Sequence, residues 1–150
     1  MLELINYDND RKLEVSLYEL NSLTLNKGLS LSRKDIKELI NTKNEVLKYT
    51  GRVEVQPIIE EIVFEFYNSY YIDKDNYKEV INEFIRIYYM YTSYFDNRLT
   101  SEEIIKYMSK EFNGRCNGEI VLLETVSFEE LKDDISKGKY YEYWKRIWNN

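Results

Sequence analysis

The chain has 150 residues, the length of one domain, and is long enough to bury an apolar core without disulfides or metals. Its 21 basic and 27 acidic side chains give a net charge of −6, and 43% of its residues are apolar, as in an ordinary soluble globule. Histidine is absent, which excludes Ser-His-Asp and Cys-His catalysis and nearly every zinc, haem or non-haem iron site. We therefore expect no cofactor and favour a non-enzymatic role.

The cysteine content and the lengths of the apolar segments indicate the cellular compartment. One cysteine, Cys116, cannot form an internal disulfide, which indicates a reducing compartment. Residues 1–10 lack the pattern of a signal peptide, and no stretch approaches the roughly 20 apolar residues of a membrane span. We expect a cytoplasmic protein without a membrane contact, and its acidic charge disfavours nucleic-acid binding.

The first half of the chain predicts helices. Residues 12–23 alternate like a strand at first, but their leucines also fit one helix face, and a lone strand would have no partner, so we favour a helix. Residues 1–11 are expected to be flexible. Ser32 is placed to cap a helix through Tyr49 that ends at Gly51, and Pro57 is placed at the start of a second helix that ends near Ser69.

The second half continues the pattern. Asp75 is the expected cap of a central helix, packed on two sides, that reaches about Tyr94. Capping boxes at Thr100-Ser-Glu-Glu and Ser127-Phe-Glu-Glu predict two more helices. Residues 119–123 form either a short strand or a helical turn, and we favour the turn. The sequence thus predicts an all-α fold, a compact single-domain bundle of about five to six helices over residues 1–150.

Acidic residues suggest two metal sites that the spacing does not support. Asp73-Lys-Asp75 resembles the start of a calcium loop, but Lys78 and Phe84 occupy the positions that require glycine and glutamate, so a helix cap and hinge is the better interpretation. Five glutamates resemble the carboxylates of a metal-binding bundle but lack the Glu-x-x-His signature, so we interpret them as a solvated acidic face. They are Glu60, Glu61, Glu65, Glu79 and Glu83.

Cys116 lies in the sequence Gly114-Arg-Cys-Asn-Gly118. The flanking glycines and Arg115 are compatible with an exposed, electropositive loop and a reactive thiol, whereas a free cysteine is also a common buried residue. A nucleophile would need a positioned base, and only lysine or a carboxylate is available, so we favour the structural role.

The aromatic tail, residues 139–150, has a local charge of +2 and contains both tryptophans. Such a segment either packs on the bundle, forms a protein or self-association contact, or stacks on single-stranded nucleic acid. The candidate partner-binding residues are Tyr140, Tyr141, Tyr143, Trp144 and Trp148.

Short blocks in a fixed order give the chain a family resemblance. They are Asn26-Lys-Gly-Leu-Ser-Leu-Ser, Thr42-Lys-Asn, Gly51-Arg-Val-Glu, Ser69-Tyr-Tyr-Ile-Asp, Asn76-Tyr, Asp96-Asn-Arg-Leu-Thr-Ser-Glu-Glu and Phe112-Asn-Gly-Arg-Cys-Asn-Gly. Over about residues 20–135 the sequence resembles a domain-of-unknown-function family of small proteins from Gram-positive anaerobic bacteria. The resemblance implies a bacterial cytosolic helical protein and supplies no catalytic residue.

Two functions fit these features. The first is an interaction or adaptor module that presents its Tyr/Trp-rich surface to a protein partner or to a second copy. The alternative is a small-molecule binding protein, or a modest enzyme, in which Arg52, Arg98 and Arg115 hold an anionic ligand between helices. The alternative requires the three guanidinium groups to converge.

Overall fold

The computed structural model describes residues 2–50, 58–95 and 98–139, and the side chains from residue 9 onward. These residues form six helices and no strand, which confirms the all-α prediction. The helices are α1, Leu2–Thr24; α2, Arg33–Thr50; α3, Ile59–Phe66; α4, Tyr77–Tyr94; α5, Ser101–Asn113; and α6. Helix α6 is continuous through a first turn, Ile120–Leu122, a π-helical turn, Leu123–Ser127, and an α-helical part, Phe128–Ser136.

The first two helices form an antiparallel pair joined by a short connection. A 3₁₀ turn, Leu25–Lys27, follows α1, and Gly28 adopts a φ of +72° where the chain reverses. The side chain of Asn21 fixes the connection by bonding both the N–H and the carbonyl of Leu31, at 2.8 and 2.9 Å. The predicted N-terminal helix is therefore confirmed, and its backbone is helical from Leu2.

A buried lysine side chain also joins α1 to α2. The Lys43 Nζ lies 2.8 Å from an oxygen of Asp10, whose second oxygen accepts from Asn44 at 2.8 Å. Ser32 and Asp35 cap α2 reciprocally, each side chain accepting from the other residue's N–H at 3.0 Å, so the predicted cap is confirmed. The predicted stop at Gly51 and the predicted role of Pro57 lie outside the described residues.

Helix α4 is the centre of the bundle, as predicted. It packs against α2, α3 and α5 and buries residues on most of its circumference. Phe84 of α4 meets Phe66 of α3 and Phe112 of α5, at centroid distances of 4.0 and 4.8 Å. These aromatic contacts hold α3 and α5 against the same central helix.

Three details differ from the prediction. Helix α3 ends at Phe66, three residues before Ser69, and α4 begins after Asn76, not after Asp75. Asp73, rather than Asp75, organises the hinge, because its Oδ1 accepts from the N–H groups of Asp75 and Asn76 at 2.9 and 3.0 Å. The cap-and-hinge interpretation of this acidic segment therefore holds, with a different residue in the central role.

The alternative of a strand at 119–123 is wrong, because these residues begin α6. The predicted capping box at Ser127 is also wrong. Ser127 is helical, with φ −65° and ψ −38°, and its side chain makes no capping bond. It is fully buried, and its Oγ lies 3.2 Å from the Cys116 Sγ.

Candidate functional site

A wide groove lies between α3 and α5, and Leu20 of α1 also lines it. Its volume is about 810 Å³. Its apolar lining residues are Leu20, Ile105 and Phe64, of which Ile105 is buried and Phe64 is exposed. The glutamates that line it are Glu60, Glu61, Glu65 and Glu102, and Lys106 is the one basic residue among the described lining side chains.

The pattern of α3 places its charged residues in the groove. Four apolar side chains of this eight-residue helix are buried against the bundle, which leaves positions 60, 61, 64 and 65 on the opposite side. Phe64 is therefore directed outward between glutamates and is 64% exposed. Phe64 is thus the one apolar residue of α3 that faces solvent, while the other four are buried.

A capping box fixes the start of α5, which lines the other side of the groove. The Oγ1 of Thr100 accepts from the N–H of Glu103 at 3.1 Å, and the Glu103 carboxylate accepts from the N–H of Thr100 at 2.9 Å. This confirms the predicted start of α5 and sets the register that brings Glu102, Ile105 and Lys106 to the groove.

The electrostatics of the groove favour a cation. The Lys106 Nζ lies 3.6 Å from an oxygen of Glu65, so one glutamate has a basic neighbour across the groove. Partial burial raises the pKa of Glu60, and the charge of the adjacent Glu61 raises that pKa further. A bound cation would relieve this repulsion and lower the pKa again.

The five glutamates singled out in the sequence do not meet. Glu60, Glu61 and Glu65 share the groove, whereas Glu79 lies 3.6 Å from Lys78 and Glu83 pairs with Arg86. Within the part of the chain that the structure describes, no three acidic or cysteine side chains are grouped as a metal site would require.

The predicted arginine cluster is only partly visible, because Arg52 lies outside the described residues. Arg98 precedes α5, donates to the carbonyl of Tyr94 at 2.9 Å and lies over the Tyr94 ring at 5.4 Å. Arg115 follows α5 and forms ion pairs with Glu111 and Glu130. Arg98 and Arg115 thus flank the 13-residue helix α5, which is about 20 Å long, and the guanidinium of Arg115 is engaged by two carboxylates.

Cys116 belongs to a buried cluster at the junction of α5 and α6. It is 1% exposed, and burial raises the pKa of its thiol. The hydroxyl of Tyr107 donates to the carbonyl of Ser127 at 2.6 Å, in the π-helical turn beside the thiol. The buried carboxylate of Glu111 lies 3.2 Å from the same hydroxyl. The structural role of Cys116 fits this packing better than a nucleophilic role does.

The aromatic tail begins where α6 ends. Lys139, the last described residue, donates its N–H to the carbonyl of Asp134 at 2.8 Å. The five predicted partner-binding residues, Tyr140, Tyr141, Tyr143, Trp144 and Trp148, lie outside the described residues. The preceding part of α6 lies beside the α4–α5 connection, with Phe128 5.3 Å and the Lys132 Nζ 5.2 Å from the Tyr94 ring centroid.

The sequence predicts the acidic residues of the groove and the start of α5, but not the exposure of Phe64. The acidic residues of α3 are evident as a charged face, and the capping box locates the start of α5. Phe64 was missed because its neighbours Val63 and Phe66 are apolar and buried, and its exposure depends on the rotation of α3 against α4. The signal available is that position 64 falls outside the 59, 62, 63, 66 stripe.

These features define an all-α protein with an acidic groove that contains an exposed phenylalanine. None of its described helices is long and apolar enough to span a bilayer. The model of the family of unknown function DUF6323 matches residues 16–141, and the chain belongs to this family. The predicted resemblance to a family of unknown function is therefore confirmed. Searches of curated proteins and of solved structures returned no match.

Proposed function

We propose that this protein is a non-enzymatic interaction module whose α3–α5 groove binds a basic, aromatic segment of a partner protein. The observation that carries the proposal is the exposed ring of Phe64 among four glutamates. Aromatic anchors with an oppositely charged surround are typical of the energetic centres of protein interfaces, and the charges add selectivity and speed of association.

The chemistry of the described residues supports a binding role over catalysis. The thiol is buried with a raised pKa, which disfavours the thiolate form that a nucleophile needs. The sequence offers no histidine as a general base. A buried free thiol also fits a reducing compartment, so the bacterial cytosol remains part of the proposal.

The alternative of an anionic ligand has less support. Arg98 and Arg115 lie at opposite ends of α5, and Arg115 is already paired with two carboxylates. The groove would repel phosphates, because the lining side chains that the structure describes include four glutamates and one lysine. The same repulsion disfavours nucleic acid at this surface.

A labelled peptide tests the proposal. The probe is a fluorescein-labelled, 12-residue peptide of alternating arginine and tryptophan pairs, titrated with the full chain carrying Trp144→Ser and Trp148→Ser. These substitutions remove the chain's own tryptophans as competitors. We expect saturable binding by fluorescence anisotropy and a roughly 30-fold weaker Kd when Phe64→Ser is added, the loss of about 2 kcal/mol that an interface anchor contributes.

Two controls define the result. Tyr49→Ser removes an aromatic side chain that is 94% exposed on α2 and should leave the Kd unchanged. A peptide with glutamate in place of arginine should not bind. Equal affinity for the Phe64 and Tyr49 variants, or no binding of the basic peptide, would refute the groove as an interaction site.

A further inference from the structure

The groove and the aromatic tail have complementary chemistry. The groove combines an exposed aromatic ring with four glutamates and a single lysine. The tail combines five Tyr and Trp side chains with Lys139, Lys145 and Arg146 against one glutamate, a local charge of +2 in a chain of net charge −6. Aromatic side chains and cations are therefore concentrated in one segment, and the surface that suits them is present on the same molecule.

The helix that precedes the tail contacts the segment that leads into the groove. Phe128 and Lys132 of α6 contact Tyr94, at the end of α4, and Arg98 of the following connection contacts the same ring. Two residues after Arg98, Thr100 lines the groove. Helix α6 therefore contacts the end of α4 that leads, through the α4–α5 connection, into the groove.

The length of the tail is sufficient. Eleven residues follow Lys139, and an extended chain of that length spans up to about 36 Å. Helix α5 is about 20 Å long, and its first half lines the groove. A short connection of this kind gives an effective concentration in the millimolar range, which favours contact within one molecule over contact between two.

We propose that the aromatic tail binds the α3–α5 groove of its own molecule, with an aromatic side chain against Phe64 and with Lys145 and Arg146 facing Glu61 and Glu102. This inference rests on the proposed function, because it names the tail as the occupant that a partner segment must displace. The tail then acts as an autoinhibitory element, and a partner binds at the cost of releasing it.

Tryptophan fluorescence of the full chain reports on this contact selectively, because Trp144 and Trp148 are the two tryptophans of the sequence. We expect a blue-shifted emission maximum and weak quenching by acrylamide in the unsubstituted chain. Phe64→Ser should shift the emission to the red and raise the quenching constant at least twofold. Tyr49→Ser is the matched control and should change neither quantity.

A charge exchange tests the ionic part of the contact. Glu61→Lys with Glu102→Lys should expose the tryptophans in the same way, since both glutamates are exposed and their substitution leaves the core intact. Adding Lys145→Glu and Arg146→Glu to that variant should restore the quenching constant of the unsubstituted chain. Circular dichroism confirms that each variant remains helical.

The outcomes separate this inference from the proposed function. Tryptophan emission that does not respond to Phe64→Ser overturns the tail as occupant, while the arginine–tryptophan peptide still decides whether the groove binds such segments. Light scattering should give a mass of 18.3 kDa at every concentration. A Phe64-dependent mass of twice that value overturns the contact within one molecule and assigns the groove to the tail of a second copy.

Discussion

At the scale of single residues, two glycines show how the same backbone conformation carries different constraints. Gly28 and Gly118 have φ values of +72° and +80°, in the left-handed region that favours glycine. A Cβ on Gly28 would meet no atom within 4 Å, whereas a Cβ on Gly118 would lie 2.5 to 2.7 Å from the base of the Tyr71 side chain. Gly118 therefore sets how closely the α5–α6 junction approaches the α3–α4 connection.

Alanine substitution should separate the effect of the left-handed backbone from that of the Tyr71 contact. We expect Gly28→Ala to lower the free energy of unfolding by about 1 to 2 kcal/mol, the cost of a left-handed backbone. Gly118→Ala should cost at least 1 kcal/mol more, because the ring of Tyr71 must also shift. Urea unfolding followed by circular dichroism measures both values, and equal losses would show that the Tyr71 contact is not constraining.

At the scale of helices, two sequences that look alike have different structures. Thr100-Ser-Glu-Glu forms the capping box that its pattern predicts, because Thr100 is extended and exposed. Ser127-Phe-Glu-Glu has the same pattern but lies inside α6 after a π-helical turn. Burial of Ser127 beside Cys116 and the hydrogen bond from Tyr107 to its carbonyl hold it in helical conformation. Tertiary packing therefore overrides a local signal that is reliable only at an exposed helix start.

Alanine at Thr100 should destabilise the start of α5. Thr100→Ala removes the acceptor for the Glu103 N–H and should lower the free energy of unfolding by about 1 kcal/mol. Thr100→Ser keeps a hydroxyl acceptor and should retain most of the stability of the original chain. Thermal unfolding of the three chains measures the difference. A Thr100→Ala chain as stable as the original would mean that water or another group satisfies the N–H.

At the scale of the whole molecule, helix periodicity and caps were sufficient to predict the fold class, whereas they could not predict the groove. Ile36, Leu39 and Ile40 recur at helical spacing and are buried as expected. The exposure of Phe64 depends on contacts between helices distant in sequence, such as Phe66 with Phe84 and Phe112, and no local pattern encodes them. Arg115 was predicted to bind a ligand, whereas the structure pairs it with Glu111, four residues away, and with Glu130, 15 residues away, and only the second pairing depends on the tertiary fold.

The alkaline limit of stability follows from Tyr77, which is 2% exposed at the start of α4. Burial raises its pKa from 10.0 to about 12, opposed by a hydrogen bond with Thr24 at the end of α1. The unfolded chain loses this proton near pH 10 and the folded chain only near pH 12. The stabilisation by the neutral phenol is therefore fully present below pH 10 and is lost as the pH rises towards 12.

Between pH 9 and pH 11 this linkage should lower the free energy of unfolding by about 1 kcal/mol. Lysines and other tyrosines also titrate in this range, so the measured quantity is the difference between the original chain and Tyr77→Phe, each unfolded with urea at both pH values. The variant starts less stable because it lacks the bond to Thr24, but it should lose about 1 kcal/mol less over the interval. Tyr49→Phe, which alters an exposed phenol, should lose as much as the original chain. Identical losses for the original chain and Tyr77→Phe would mean that water reaches the phenol, and the contact between the end of α1 and the start of α4 would then be looser than its burial indicates.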